Sequence, residues 1–503
     1  MRGDLEWGTI PGLLRHAASQ HSDRIAVEDG EVHLTFSELL TAVERAARGL
    51  WALNIAHGDR VAIWAPNVWE WVVAALAIHE VGGVLVPINT RYKGAEARYI
   101  IDKSGARALF TVDGFLGLEF ATMLDRPNLP TVVFRQTWDA FLDAGVSGRS
   151  SVSGDDLSDI LFTSGTTGHP KGVMTTHAQS LRAYADWSEV VGLRAGDRYL
   201  VVAPFFHCFG YKAGWLACLM TGATILPQPV FDANAVLERI GRDRISMLPG
   251  PPALYESFLM KDLANYDLTS LRLAVTGAAS IPVRLIHRMR DELGFQTVIT
   301  GYGLTEACGI ATMCRFDDDP ETIANTSGRA IPEVEVLVVD GDGIEVERGM
   351  PGEVVVRGYN VMNGYFADPE QTAETIIDGW LHTGDIGVMD EQGYLRITDR
   401  LKDMFICGGF NAYPAEIEHA LMEHEGVAEV AVIGIPDPRL GEVGMAWVVP
   451  HGELDGDDLL AWARERLANF KVPRRVAFID ALPRNASAKV IKFELRAKFD
   501  ALA

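Results

Sequence analysis

Five cysteines in 503 residues are few, odd in number and never spaced as C-x-x-C: Cys208, Cys218, Cys308, Cys314 and Cys407. That set signals neither a disulfide framework nor a zinc site, and it suits a reducing compartment. Long apolar runs are also lacking. The longest, Trp71 to Ile78, is broken by His79 and Glu80, far short of the roughly 20 residues that span a bilayer. The opening stretch carries Asp4 and Glu6 and has no continuous apolar core of the signal-peptide kind. The expectation is therefore a cytoplasmic protein with no membrane span. Basic residues are outnumbered, 45 Lys and Arg against 68 Asp and Glu, for a formal charge of −23. Such an excess repels nucleic acid and anionic membrane surfaces over a Debye length. Neither is an expected partner, and any bound polyanion must meet a local exception.

What remains is a globular composition, 48% apolar and 22% charged. The length exceeds the roughly 250–300 residues at which single cores stop growing, so more than one domain is expected. Short β-branched runs at Arg60 to Trp64, Val84 to Pro87, Ala108 to Thr111 and Thr131 to Phe134 alternate with helical patterns such as Phe36 to Leu53. Such alternation predicts an α/β fold with largely parallel, buried strands. Between Val334 and Asp399, glycine and proline become denser and turns such as Asp340-Gly341-Asp342-Gly343 predominate, which reads as a β-rich subdomain. No internal repeat or low-complexity tract interrupts the chain.

A boundary is expected at residues 400–403, Arg400-Leu401-Lys402-Asp403, separating a large region 1–399 from a compact α+β unit 404–503. Charge divides the smaller unit again. Residues 404–460 hold 11 acids and one base, whereas 461–503 hold 4 acids and 10 bases, among them Arg464, Arg466, Lys471, Arg474, Arg475, Lys489 and Lys492. That basic end either handles a phosphate-rich ligand or is an ordinary solvated helix face.

The most informative stretch is DILFTSGTTGHPKGV, Asp159 to Val173. An apolar strand runs into hydroxyls and glycines and ends in a lysine, the arrangement needed to wrap backbone N–H groups and hydroxyls around phosphate oxygens. Gly165 and Gly168 let the main chain approach closely, while Thr163, Ser164, Thr166 and Thr167 donate hydrogen bonds and Lys171 adds positive charge. The G-x-x-x-x-G-K-[ST] spacing of a Walker loop is absent.

This loop resembles the phosphate-binding signature of the adenylate-forming superfamily, which includes acyl-CoA synthetases, peptide-synthetase adenylation domains and beetle luciferases. Further segments match in order. Thr276-Gly277-Ala278-Ala279 and Gly301-Tyr302-Gly303-Leu304-Thr305-Glu306 resemble the family segments that border adenine and the α-phosphate. Trp380 to Asp385 resembles the segment whose aspartate holds the ribose hydroxyls, Asp399 to Asp403 the hinge, and Pro483 to Lys489 the segment of the terminal catalytic lysine.

The resemblance implies an α/β fold of the acyl-CoA synthetase or luciferase-like type, with layered αβ subdomains, a β-rich subdomain and a small mobile C-terminal domain. It implies that a carboxylate attacks the α-phosphate of ATP to give an acyl-AMP, that pyrophosphate leaves, and that a thiol, here coenzyme A, displaces AMP. Magnesium falls to Glu306 and Thr163, with Thr305 beside them, and hard oxygen ligands suit that ion. Lys489 is the charge clamp of adenylation, so Lys489→Ala is expected to slow that step by about 10²-fold or more while sparing thioester formation. Asp385 takes the ribose with Arg400 assisting, and Tyr302 stacks on adenine. Lys402 is the pivot about which the C-terminal domain turns, bringing Gly408 and Gly409 toward the active site, where absent side chains leave room for pantetheine. One departure stands out: family members commonly have glycine before the catalytic lysine, and this chain has Ala488. If that position requires φ > 0, alanine strains the loop by about 1 kcal/mol.

Pro204 to Tyr211, PFFHCFGY, resembles the family segment lining the acyl pocket, and its rings suit a bulky apolar acid. His207 either gates the pocket or orients the carboxylate, or is structural; Cys208 is read as packing. Lys212 reads as solvent-facing, with contact to a substrate carbonyl as the alternative. At finer grain, FFHCFGYKAG, LPGPPALY, YGLTEACGIATMCR and DRLKDMFICGGFNAYPAEIE resemble the actinobacterial ligases that act late in steroid breakdown. That likeness implies as substrate a methylated hydrindane-dione propanoate, the ring C and D remnant abbreviated HIP. A medium-chain or aromatic acid, a stand-alone adenylating enzyme loading a carrier protein, a luciferase-like oxygenase and a noncatalytic binder remain the alternatives. No carrier domain is read after Ala503, and the sequence leaves the assembly state open, with a homodimer among the options.

Overall fold

The computed structural model describes residues 2–163, 170–277, 281, 283–400, 405–412, 414–483, 490 and 492–500. The chain divides into two compact units. One comprises Met1–Thr90, Ile101–Leu161 and Gly172–Asp399, and the other Arg91–Ile100, Phe162–Lys171 and Arg400–Ala503.

In the larger unit, the β-branched runs become strands of a six-stranded sheet ordered Lys171–Thr176, Leu157–Thr163, Val84–Pro87, Arg60–Trp64, Ala108–Thr111 and Thr131–Val133. The last five pair in parallel. Val84–Pro87 and Ala108–Thr111 are buried throughout, as parallel strands covered on both faces must be. The apolar run around Trp71 becomes the helix Trp69–Glu80, buried from Glu70 to His79, a core helix that is apolar on every side rather than a surface one.

A second sheet runs Arg198–Val201, Thr224–Pro227, Ile25–Asp29 and Val32–Thr35. Met247 bridges it in parallel, from Tyr199 to Leu273, toward the sheet of Leu273–Thr276, Thr297–Tyr302, Thr312–Met313 and Arg329–Ala330. The segment expected to be β-rich forms an antiparallel sheet of Val334–Val339, Pro351–Gly358, Trp380–Met389 and Ile376–Ile377, joined by Leu395–Arg400.

Local signals set the helix starts. Thr35 opens Phe36–Ala52 with a capping box in which Thr35 Oγ1 accepts from Glu38 N at 3.1 Å and Glu38 Oε2 accepts from Thr35 N at 2.8 Å. Thr176 and Gln179 repeat the device at the head of His177–Val191, immediately after the strand Lys171–Thr176. Each cap is worth about 1 kcal/mol.

The smaller unit has its own core, built on the strands Phe410–Ala412, Phe405–Cys407, Gly441–Pro450 and Val427–Asp437, with Arg475–Phe478 parallel to Gly441–Pro450. The acidic and basic stretches of this region meet inside it. Lys471 is buried and donates to Glu416 at 2.5 Å, and Lys492 donates to Glu418 at 2.7 Å. These two members of the basic end are thus internal partners rather than a solvated face.

Candidate active site

Thr163 ends one strand of the six-stranded sheet and Lys171, nearly fully buried, begins its neighbour. Ser164, Gly165, Thr166, Thr167 and Gly168 between them lie outside the described residues, as do Ala278, Ala279, Lys402, Ala488 and Lys489. Of Arg400 only the backbone, in the strand Leu395–Arg400, is described. The strand that begins at Lys171 is clamped by residues 363–366. Met174 N donates to Gly364 O at 3.1 Å, Asn363 N to Met174 O at 3.0 Å and Phe366 N to Gly172 O at 2.7 Å, with Val173 bridged to Tyr365.

That clamp delivers Tyr365 to Glu306. Glu306 lies on the single 3-10 turn Thr305–Ala307 that follows the strand Thr297–Tyr302. Its Oε1 accepts the Tyr365 hydroxyl at 2.9 Å and its main-chain oxygen accepts Met362 N at 2.8 Å. Buried Asn360 holds the following residues, donating to Ile310 O at 2.7 Å and Ala307 O at 3.4 Å. Thr305 and Glu306 are half-buried. Sequence reasoning missed both Tyr365 and Asn360, because nothing local to either residue points across the fold to Glu306.

Gly277 follows the strand Leu273–Thr276, which pairs in parallel with the strand carrying Gly301 and Tyr302. Gly301 and Gly303 owe their identity to close packing: a Cβ at Gly301 would lie 2.8 Å from Thr312 O, and one at Gly303 2.4 Å from Gly309 O. Tyr302 donates its hydroxyl to Asp385 Oδ2 at 2.7 Å. Asp385 is buried and its turn is fixed from behind. Thr383 Oγ1 accepts Asp385 N at 3.1 Å and donates to Val354 O at 2.6 Å, while Gly384 takes φ 69° and donates its N–H to Glu353 at 3.0 Å. The expected adenine and ribose residues therefore stand side by side.

The acyl-pocket segment differs from its expected form. Phe205 and Tyr211 are fully buried against Trp71, with ring centroids 5.4 and 6.3 Å away, and Tyr211 shares a hydrogen bond of 3.1 Å with His79. These two rings are core, whereas Phe206 and Phe209 are half-buried. Asn67, also missed, anchors the segment. Its amide donates to Val201 O and Ala203 O at 2.9 Å each and accepts Phe205 N at 2.8 Å.

His207 is exposed to solvent, and desolvation by the protein around it lowers its pKa. Its Nδ1 accepts Phe209 N at 3.2 Å, leaving a neutral ring with the proton on Nε2. Cys208 is buried, and burial pushes its thiol up to about 12, as its packing role requires. Lys212 is not solvent-facing: it has 0% exposure and is paired with Asp159.

Gly408 and Gly409 take φ 58° and 83° as the two turn residues between Phe405–Cys407 and Phe410–Ala412, with Cys407 opposite Phe410. Two-residue hairpins demand such left-handed pairs. A Cβ on Gly408 would meet only Leu440 Cδ2, at 3.3 Å, so backbone conformation rather than crowding accounts for this glycine here.

The resemblance implies the Glu306 carboxylate and the Thr163 hydroxyl as magnesium donors. Among the described residues no group of three or more His, Cys, Asp or Glu is gathered to hold a metal. One carboxylate plus hydroxyl, completed by substrate phosphates and water, is a donor set that fits magnesium.

Comparison with known proteins agrees. A family model described as AMP-binding enzyme matches residues 14–366, and one for the AMP-binding enzyme C-terminal domain matches residues 416–489. The 3-[(3aS,4S,7aS)-7a-methyl-1,5-dioxo-octahydro-1H-inden-4-yl]propanoyl:CoA ligase of Mycobacterium tuberculosis is 51% identical, over 97% of this chain and 98% of its own. The Rhodococcus jostii ligase of the same name is 49% identical over the same shares. Among solved structures, a double mutant of o-succinylbenzoate CoA synthetase from Bacillus subtilis, bound with its product analogue, superposes with a TM-score of 0.85 at 30% identity. It covers 96% of this chain and 98% of its own. Motifs, fold and comparisons converge, and the chain belongs to the adenylate-forming family of AMP-binding enzymes.

Proposed function

We propose that this protein is an ATP-dependent acid–CoA ligase whose acid is the methylated hydrindane-dione propanoate HIP. The observation that carries the substrate is the near-complete coverage at 49% and 51% identity by two ligases named for that acid. The chemistry follows from what a carboxylate lacks. It is a poor electrophile until attack on the α-phosphate of ATP converts it to an acyl-AMP with AMP as leaving group, after which the CoA thiol takes the acyl group. Charge concentrates at phosphorus in the first step, where fixed positive groups count most. Magnesium, held by Glu306 and Thr163, would supply part of that charge.

In this reading Tyr302 and Asp385 orient the nucleoside, Gly277 and Gly301 to Gly303 border it, Lys171 and the loop before it hold phosphate, and His207 faces the acid. Lys489 serves adenylation only. The division into 1–399, a hinge at 400–403 and 404–503 lets that lysine leave and Gly408-Gly409 arrive as the domain turns about Lys402. Residence in the cytoplasm is supported by the five free, buried cysteines, and a homodimer completes the proposal, to be checked by light scattering.

The test is incubation with ATP, magnesium, CoA and a panel of acids that includes HIP, medium-chain fatty acids and aryl acids, followed by mass analysis of thioesters and assay of AMP and pyrophosphate. HIP-CoA as the preferred product supports the proposal. Preference for another acid moves the substrate, and acyl-AMP that reaches only a carrier protein or oxygen overturns the ligase reading.

A further inference from the structure

Lys212 and Asp159 form an ion pair with 0% side-chain exposure on both partners, Nζ to Oδ1 at 3.1 Å. Lys212 lies on a π-helical turn, Tyr211–Leu216, all of it buried, a local irregularity that often accompanies functional sites. Its ammonium has three protons and three partners: Asp159, Thr175 Oγ1 at 2.7 Å and Cys308 Sγ at 3.6 Å. Asp159 is held from other sides too, accepting the Thr175 hydroxyl at 2.6 Å and the Ser158 hydroxyl at 2.7 Å. Burial pushes the lysine pKa down, but Asp159 more than offsets this and leaves the ammonium above its usual range. With no exposure and no proton to spare, Lys212 does not reach a substrate.

Net stability is a weak reason to keep such a pair. Buried ion pairs are frequently replaced by apolar residues of similar volume without loss, and their best-attested use is to fix register. Each partner here leads within a few residues to a different part of the site. Asp159 lies on the strand that enters residues 164–169, and Thr175 on the strand that leaves them. Cys308 is two residues beyond Glu306, and Lys212 immediately follows Pro204 to Tyr211. The acid-binding segment is thereby bonded directly to the phosphate-loop strands and the Glu306 turn.

We propose that Lys212 and Asp159 are positioning residues that hold the acid segment in register with the nucleotide segments, so that carboxylate and α-phosphate meet at attacking distance. The inference rests on the ligase reading and deepens it. Register matters while acid and ATP are separate molecules. Once they are joined as acyl-AMP, a covalent bond fixes their relation, so the pair should matter for the first half-reaction and not the second.

The variant that isolates this is Lys212→Met/Asp159→Asn, which removes both charges together, keeps both shapes and leaves Thr175 and Ser158 a partner. Folding is checked by circular dichroism and thermal melting. Acid-dependent ATP–pyrophosphate exchange measures adenylation, and supplied acyl-AMP plus CoA measures thioester formation. The expected result is a kcat for adenylation lower by about 10- to 100-fold, the range that small misplacements cost, with both KM values and thioester formation within about threefold of wild type. Equal loss in both half-reactions, loss confined to KM, or no loss at all would overturn the proposal. Wild-type protein without acid-dependent exchange would instead sink the ligase reading itself.

Discussion

The Tyr302 hydroxyl donates to Asp385 Oδ2 at 2.7 Å across a separation of 83 residues, so the two groups expected to read the nucleoside are also each other's partner. The bond occupies one carboxylate oxygen and holds the other in a set direction. Tyr302→Phe keeps the ring and removes that constraint. A hydrogen bond to a charged group is worth about 1.5–3 kcal/mol, so the KM for ATP in pyrophosphate exchange is expected to rise by about tenfold or more. The KM for the acid should stay within about twofold, since no acid-binding group is touched.

Glu306 and Tyr365 make a second long-range contact with a separable consequence. Tyr365→Phe leaves Glu306 Oε1 without the hydroxyl it accepts at 2.9 Å, and the carboxylate loses part of its orientation but none of its charge. Half-maximal adenylation should then require a few-fold more magnesium, with kcat restored at saturating metal. Glu306→Gln removes the charge, and high magnesium should not rescue it. Magnesium titrations of both variants in the exchange assay check the pair of outcomes, and a Tyr365→Phe enzyme with unchanged magnesium dependence would refute the link.

Much of this architecture is legible in the sequence where the signal is local. The strands at Arg60–Trp64, Val84–Pro87 and Ala108–Thr111 fall on the β-branched runs, and Phe36–Ala52 begins at its own capping box. Thr131–Val133 stops one residue early because the turn that follows takes Arg135 to φ 64°. Lys212 reads wrongly as solvent-facing because its partners Thr175 and Cys308 are 37 and 96 residues away. A warning was nonetheless present in Asp159, an acid inside a strand otherwise apolar enough to be buried. The aromatic segment Pro204 to Tyr211 misleads in the opposite sense: rings that could line a pocket could equally enter the core, and Phe205 and Tyr211 do. Residue type fixes what a ring can contact, whereas only the packing of the Trp69–Glu80 helix decides what it does contact.

His177 carries a pH dependence of known sign. It is fully buried, its Nδ1 accepts Ile10 N at 3.3 Å, and burial pushes its pKa down to about 4, with Asp159 and Asp156 acting weakly the other way. An unfolded histidine titrates at about 6.5. Above that pH both states are neutral and the contribution is complete. As pH falls toward 4 the unfolded chain binds a proton that the folded one refuses, and stability drops by up to about 3 kcal/mol. His177→Gln has no such proton. The stability difference between wild type and His177→Gln should be constant above pH 7 and shift by about 2 kcal/mol against wild type by pH 5. Urea denaturation across that range measures it, and a flat difference would show that the ring is not held neutral.

Gly408 separates two reasons for being glycine. Its φ of 58° in the hairpin demands a residue tolerant of the left-handed region, while the space around it admits a Cβ with only Leu440 Cδ2 at 3.3 Å. Asparagine tolerates that conformation and valine does not. Gly408→Asn should therefore unfold close to wild type, whereas Gly408→Val should lose about 1–2 kcal/mol. If the glycine also leaves room for pantetheine, as the proposed domain rotation requires, the well-folded Gly408→Asn enzyme will adenylate at the wild-type rate and transfer the acyl group to CoA more slowly. Thermal melting and the two half-reaction assays distinguish the contributions. A Gly408→Asn enzyme that forms thioester at full speed would confine this glycine to the turn and remove it from the CoA path.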